Sequence, residues 1–123
     1  MRKMGAVLLF ALAVLAGAAA APKKAASAVS AKAAQEACEN FLNDYTFAKY
    51  LKATVFDGEE SSTFFVRANQ IHGFSVGGGT LDVIFSRDVL ERIKELSYIP
   101  LEACTQFEYR TGVLVLVVDA SKL

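Results

Sequence analysis

Tryptophan is absent from the chain, histidine occurs once, and cysteine and proline occur twice each. A single His leaves too few ligands at short spacing for a zinc site, which draws on several His and Cys side chains. It also confines any serine triad or thiolate–imidazole pair to His72. No Gly-x-Ser-x-Gly elbow and no Cys-x-x-Cys pair occurs, so neither hydrolase nor thioredoxin-type chemistry has its usual starting motif. Neither sign of charge dominates, with 13 Lys and Arg against 13 Asp and Glu. A phosphate backbone requires a clustered excess of cations, and nucleic acid is therefore not an expected partner. Apolar residues make up 54% of the 123 positions, which argues for one folded domain and against a disordered chain.

The composition shifts sharply along the chain. Arg2 and Lys3 precede an uncharged run that ends in Gly and Ala, the three-part pattern of a secretory signal. Segment 1–20 is read as a signal peptide, with Ala18-Ala19-Ala20 supplying the small residues before the cut and Ala28 marking a second candidate site. Leu15-Ala16-Gly17-Ala18 has the form of a lipoprotein box with Ala where the lipidated Cys would stand. No stable membrane span is expected once the segment is removed, although its length approaches that of an anchor. Its removal takes Arg2 and Lys3 and no acid, leaving 11 basic against 13 acidic residues. The expected location is secreted or periplasmic. Segment 21–30, rich in Ala, Ser and Lys, reads as a flexible leader with too little apolar surface to offset the cost of ordering it.

The folded part is expected over 31–120. After a Ser30 cap, Ala34, Cys38, Phe41, Tyr45 and Ala48 recur at steps of four and three, one face of a helix. Period two then takes over: runs at 51–55 and 63–68 flank the turn Asp57-Gly58-Glu59-Glu60, and runs at 71–76 and 81–86 flank Gly77-Gly78-Gly79. Asp88 and Glu91 have capping-box spacing ahead of a second helix at 88–97. A closing hairpin turns at Arg110-Thr111-Gly112. The predicted class is α+β, a single small domain with helix packed on an antiparallel sheet, in the order αββββαββ. Strand 113–118 is apolar on both faces, so something is expected to cover both: a helix on each, or a helix and a partner subunit.

Export places Cys38 and Cys104 where disulfides persist, and a bond between them is expected. Such a bridge would disfavour the unfolded chain by about 4 kcal/mol in the loop-entropy model. Alternation along 103–109 puts Ala103, Thr105, Phe107 and Tyr109 on one strand face, and Cys104 on the other with Gln106 and Glu108. Candidate binding residues are His72 and Phe74 in a short strand and Gly77, Gly78 and Gly79 in the following loop, where an exposed flexible connection can adapt to a ligand. The glycines are no phosphate loop, because the next segment is a strand and no Lys follows. The acidic turn at 57–60 lacks the ligand alternation of a calcium loop. Asp82, Glu102 and Glu108 read as solvated strand carboxylates. No catalytic set, metal or cofactor is assigned.

Eight Phe and four Tyr follow the signal segment. That is more than so small a core strictly needs: a dense aromatic core is the leading reading, and the alternative is that Phe64, Phe65, Phe74 and Tyr98 do not all fit inside and leave exposed apolar surface of the kind that marks interaction sites. The expected function is a small exported binding or accessory protein, not an enzyme, acting on a protein or small-molecule ligand through its sheet surface and loops. The alternatives are a small enzyme using His72 with a carboxylate, and a homodimeric structural module.

Overall fold

The computed structural model describes residues 28–44 and 46–123. The expected signal segment 1–20, most of the leader 21–30, and Tyr45 of the helical stripe lie outside the described residues.

Helix α1 (Ala31–Asn43) starts where Ser30 leaves extended backbone and its hydroxyl accepts the Ala33 N–H at 3.1 Å. That bond satisfies one of the amides a helix start leaves unpaired. Ala34, Ala37, Cys38 and Phe41 form the buried face. The helix ends before the expected stripe does. The Lys49 and Tyr50 amides both donate to the Gly112 carbonyl, at 2.7 and 3.3 Å, so the chain must already be extended at residue 49.

Strands β1 (Tyr50–Asp57) and β2 (Glu60–Arg67) form a regular antiparallel hairpin through Gly58-Glu59. Strands β6 (Cys104–Arg110) and β7 (Val113–Asp119) form a second hairpin through Thr111-Gly112. The two hairpins join by parallel pairing of β1 with β7, giving one four-stranded sheet in the order β2-β1-β7-β6. Leu51 then lies beside Leu114 and Ala53 beside Leu116, all four fully buried.

The expected single sheet is in fact two. A 3-10 turn at Ala68–Gln70 breaks the meander, with the Gln70 side-chain oxygen accepting the Arg67 N–H at 3.1 Å and its backbone oxygen accepting the Ser86 N–H at 2.8 Å. Strands β3 (Ile71–Gly77), β4 (Thr80–Phe85) and β5 (Tyr98–Pro100) make a separate antiparallel sheet in that order. The expected second helix is also corrected. Only one turn, α2 (Arg87–Leu90), is α-helical, and a 3-10 turn at Lys94–Leu96 follows it. Its start is Ser86, whose hydroxyl donates to Asp88 at 2.7 Å; that bond is the main cause holding the Asp88 carboxyl below its ordinary range. Breaking the helix still delivers Val89, Ile93 and Leu96 to the interior. The coarse class holds: one helix packed on mostly antiparallel sheet.

The inner faces of the two sheets share one core. Leu51, Ala53, Val66, Leu114, Leu116 and Val118 from the first meet Leu81, Val83, Phe85 and Ile99 from the second. Helix α1 packs on β6 and β3, one strand of each sheet. There Phe41 meets Phe74 and Tyr109 edge-on at 5.8 and 5.7 Å, and Phe74 meets Phe107 at 6.2 Å. Edge-on contacts of this kind stabilise beyond the area they bury. The Tyr109 hydroxyl donates to Asp44 at the end of α1, at 2.5 Å, fastening helix to sheet.

Two expected outcomes test this arrangement. Thr111 holds φ +50° and Gly112 φ +90° in the β6–β7 turn, a left-handed pair that suits Asn-Gly. Thr111→Asn should raise stability by about 0.5 kcal/mol. Gly112→Ala should lower it by more than about 1 kcal/mol, since a Cβ there would stand 2.8 Å from the Phe47 carbonyl oxygen; thermal melts of both variants read the two signs. Burial, then the bond to Asp44, pushes the Tyr109 hydroxyl from 10.0 up to about 12. A raised pKa keeps its full stabilisation below the unfolded value and loses it as pH climbs through the folded one. Stability should therefore fall between pH 10 and 12, and Tyr109→Phe should flatten that slope in alkaline melts.

Candidate functional site

The sequence-predicted binding residues do not converge. Phe74 points inward to the aromatic cluster of Phe41 and Phe107. His72 is exposed at an irregularity in the β3–β4 register between Ile71 and Gly73, and among the described residues no hydrogen bond or ion pair joins it to a carboxylate. Gly78 and Gly79 both have positive φ, 61° and 79°, forming a tight two-residue turn. The Thr80 hydroxyl donates to the Gly77 carbonyl at 2.9 Å, and the Leu101 amide donates to the Gly79 carbonyl at 2.8 Å. The loop expected to adapt to a ligand is thus bonded on both sides. Of the strand carboxylates, Glu108 pairs with Arg110 at 2.6 Å, Glu102 is exposed, and half-buried Asp82 keeps one oxygen, Oδ1, with no partner. Among the described residues no three His, Cys, Asp or Glu side chains stand close enough to hold a metal ion.

The expected disulfide is a correction. Cys38 and Cys104 are both buried, unbonded thiols. The β6–β7 register slips between Cys104 and Gln106, which places Cys104 opposite Val118 on the core side. A single inserted residue reverses side-chain alternation, so Cys104 shares its face with Phe107 and Tyr109 instead of opposing them. Both cysteines then act as small apolar residues of the core. Burial, with Glu39 adding to it, pushes the Cys38 thiol up to about 12, and burial alone pushes Cys104 up to about 11. Neither carries the lowered pKa of a nucleophile.

The surface that does assemble is the outer face of the four-stranded sheet. Strand pairing aligns Phe65, Lys52, Val115 and Glu108 in one row. Arg67, Tyr50, Val113 and Arg110 form the next, and Thr63, Thr54, Val117 and Gln106 a third. Phe65 is 59% exposed and meets Tyr50 edge-on at 5.6 Å. Val113, Val115 and Val117 are half-buried, and α1 and the second sheet lie on the opposite side. The both-sided apolarity of 113–118 was the signal for this face in the sequence. Its inner residues Leu114, Leu116 and Val118 are covered, while among the described residues the outer, half-buried valines are flanked by neighbouring strand side chains and no helix or second sheet lies over them.

A second concavity, of about 330 Å³, lies where Val55 and Phe64 meet Ile93 and Leu96, with Asp57, Glu60 and Glu95 also lining it. No sequence pattern announced it, because the strand residues and the turn residues are brought together only by tertiary packing. Among the described residues no helix is long and apolar enough to cross a membrane. No protein-family model, no curated protein and no solved structure matches the chain.

The thiol assignment has a direct check. Alkylation of the folded protein near neutral pH should be slow at both cysteines, because the thiolate fraction is small and access is closed. Denaturant should release two rapidly labelled thiols, counted by intact mass. Zero labelled thiols in denaturant would show a bond in place of the free pair.

Proposed function

We propose that this chain is an exported, non-enzymatic binding or accessory protein that docks a protein partner on the outer face of its four-stranded sheet. The observation that carries the reading is the valine row Val113, Val115 and Val117, set beside Tyr50 and the exposed Phe65 with no described element above it. An antiparallel sheet facing water normally alternates polar residues onto that side. A strand that keeps valine there instead supports contact with another apolar surface.

Charge gives the face a polarity. Lys52, Arg67 and Arg110 border the apolar band, against Glu108, which already pairs with Arg110. A partner presenting an apolar ridge flanked by carboxylates complements that pattern, and such rim charges act mainly on encounter and orientation. Export rests on segment 1–20 and is read from sequence. Among the described residues no carboxylate bonds to His72, so no base with its orienting group supports the enzyme alternative.

The test is a photo-crosslinking residue placed at Val115 or at Glu36, an exposed position on α1, in protein expressed by its own host. Position 115 should give one discrete adduct and position 36 none. Val117→Lys should reduce the adduct at least tenfold while lowering stability by about 1 kcal/mol or less. Equal adducts from both positions, or none from 115, would sink the docking face.

A further inference from the structure

Strand β2 is an edge of the four-stranded sheet. Its pairing with β1 closes on a two-residue turn between Asp57 and Glu60, so those two residues exchange hydrogen bonds and the exchange recurs at every second pair. The backbone groups of residues 60, 62, 64 and 66 are therefore turned toward β1. Those of Ser61, Thr63 and Phe65 point outward. The same alternation turns the Arg67 amide outward, where it meets the Gln70 side chain at 3.1 Å. No described backbone bond reaches Ser61, Thr63 or Phe65 from that side.

Natural sheets blunt such edges with Lys, Pro, bulges, shortness or a covering element. Strand β2 has no Lys, no Pro and no bulge: its sequence is Glu-Ser-Ser-Thr-Phe-Phe-Val-Arg and it pairs without irregularity over all 8 residues. The other edges are protected. At β6 the Cys104 carbonyl accepts the Val29 amide at 3.0 Å and the register slips between Cys104 and Gln106. At β3 the register is interrupted between Ile71 and Gly73. Strand β5 has only 3 residues and ends in Pro100. Among the described residues, β2 is the long and regular edge; its start, Glu60 to Ser62, lines a concavity with Ile93, Glu95 and Leu96.

We infer that β2 pairs antiparallel with β2 of a second copy of this chain, extending the sheet across a two-fold axis. Side-chain alternation requires that opposed residue numbers share parity, or inner and outer faces would be exchanged. The two central registers that meet this put Thr63 opposite Thr63 or Phe64 opposite Phe64. Charge selects the first. It brings the turn residue Glu59, just before β2, near Arg67 at both ends of the interface, and lays the exposed Phe65 ring against Ser61 of the other copy. The second register faces Arg67 with Ser61 and stacks the two Phe64 side chains. In the selected register Ser61, Thr63 and Phe65 of each copy supply about six inter-chain hydrogen bonds. A two-fold perpendicular to the sheet leaves both outer faces on the same side, doubling the docking face within one particle. The pairing itself does not rest on that face binding anything.

The test is sedimentation equilibrium on the exported chain. An interface this narrow predicts a weak, concentration-dependent dimer. Thr63→Pro should abolish it with the melting temperature little changed, because the lost amide points away from β1. Arg67→Glu and Glu59→Arg should each weaken association about tenfold, and the two together should restore it, with no demand on the backbone. A wild-type chain that is monomeric up to about 1 mM would overturn the proposal and leave the edge to an extended segment of another protein. A dimer that survives a folded Thr63→Pro, or single charge variants that the double variant does not rescue, would overturn it as well.

Discussion

The parallel contact between β1 and β7 is the constraint on which the rest of this fold depends. Each hairpin is local and closes through a turn of two residues, but a lone two-stranded hairpin is at best marginally stable in water. Pairing Leu51 with Leu114 and Ala53 with Leu116 converts two such hairpins into a four-stranded sheet with a continuous apolar inner face. The whole second sheet lies in the chain between these partners. Long connections of this kind raise the entropy of closure only slowly with length, yet they slow the search for the native contact. Gly112 sits at this junction: its carbonyl accepts both the Lys49 and Tyr50 amides, and its lack of a side chain lets the Phe47 carbonyl approach.

From that sheet the two faces acquire different fates. The inner face is filled by the second sheet and α1, with the Phe41, Phe74, Phe107 and Tyr109 rings closing the side where α1 packs. The outer face receives no layer from the described residues, so the central position of β7 leaves its valines half-buried between polar neighbours. The same sheet order makes β2 an edge. Apolar face and unprotected edge are both consequences of which strands became central, and they meet at Phe65, which borders each.

Aromatic surplus divides in a way composition alone would not show. Phe65 and Tyr98 are exposed, at 59% and 61%, whereas Phe64 and Phe74 pack against the core. Phe64 and Phe65 are neighbours in one strand and necessarily point to opposite sides. Which of them turned inward followed from the β1 pairing, where Phe64 faces Ala53 and Phe65 faces Lys52.

Local period and turn chemistry were enough to place the strands other than β5 (Tyr98–Pro100), the Ser30 cap and the inward stripe Ala34, Cys38 and Phe41, because these depend on neighbours within a few residues. They also marked 113–118 as a strand needing cover on both sides. What lay beyond the sequence was decided by contacts distant in the chain. The turn at Ala68–Gln70 sent β3 and β4 to a second sheet, and the slip at Cys104 reversed its side. The segment 88–97 holds a helix for one turn only, and its apolar residues Val89, Ile93 and Leu96 reach the core through that turn and a 3-10 segment. His72, Phe74 and the Gly77–Gly79 turn were separable from one another only once the register was known. Sequence fixes period, and period fixes which residues can share a face; which face meets the core, and which is left for another molecule, is set by the pairing of strands that the chain brings together from far apart.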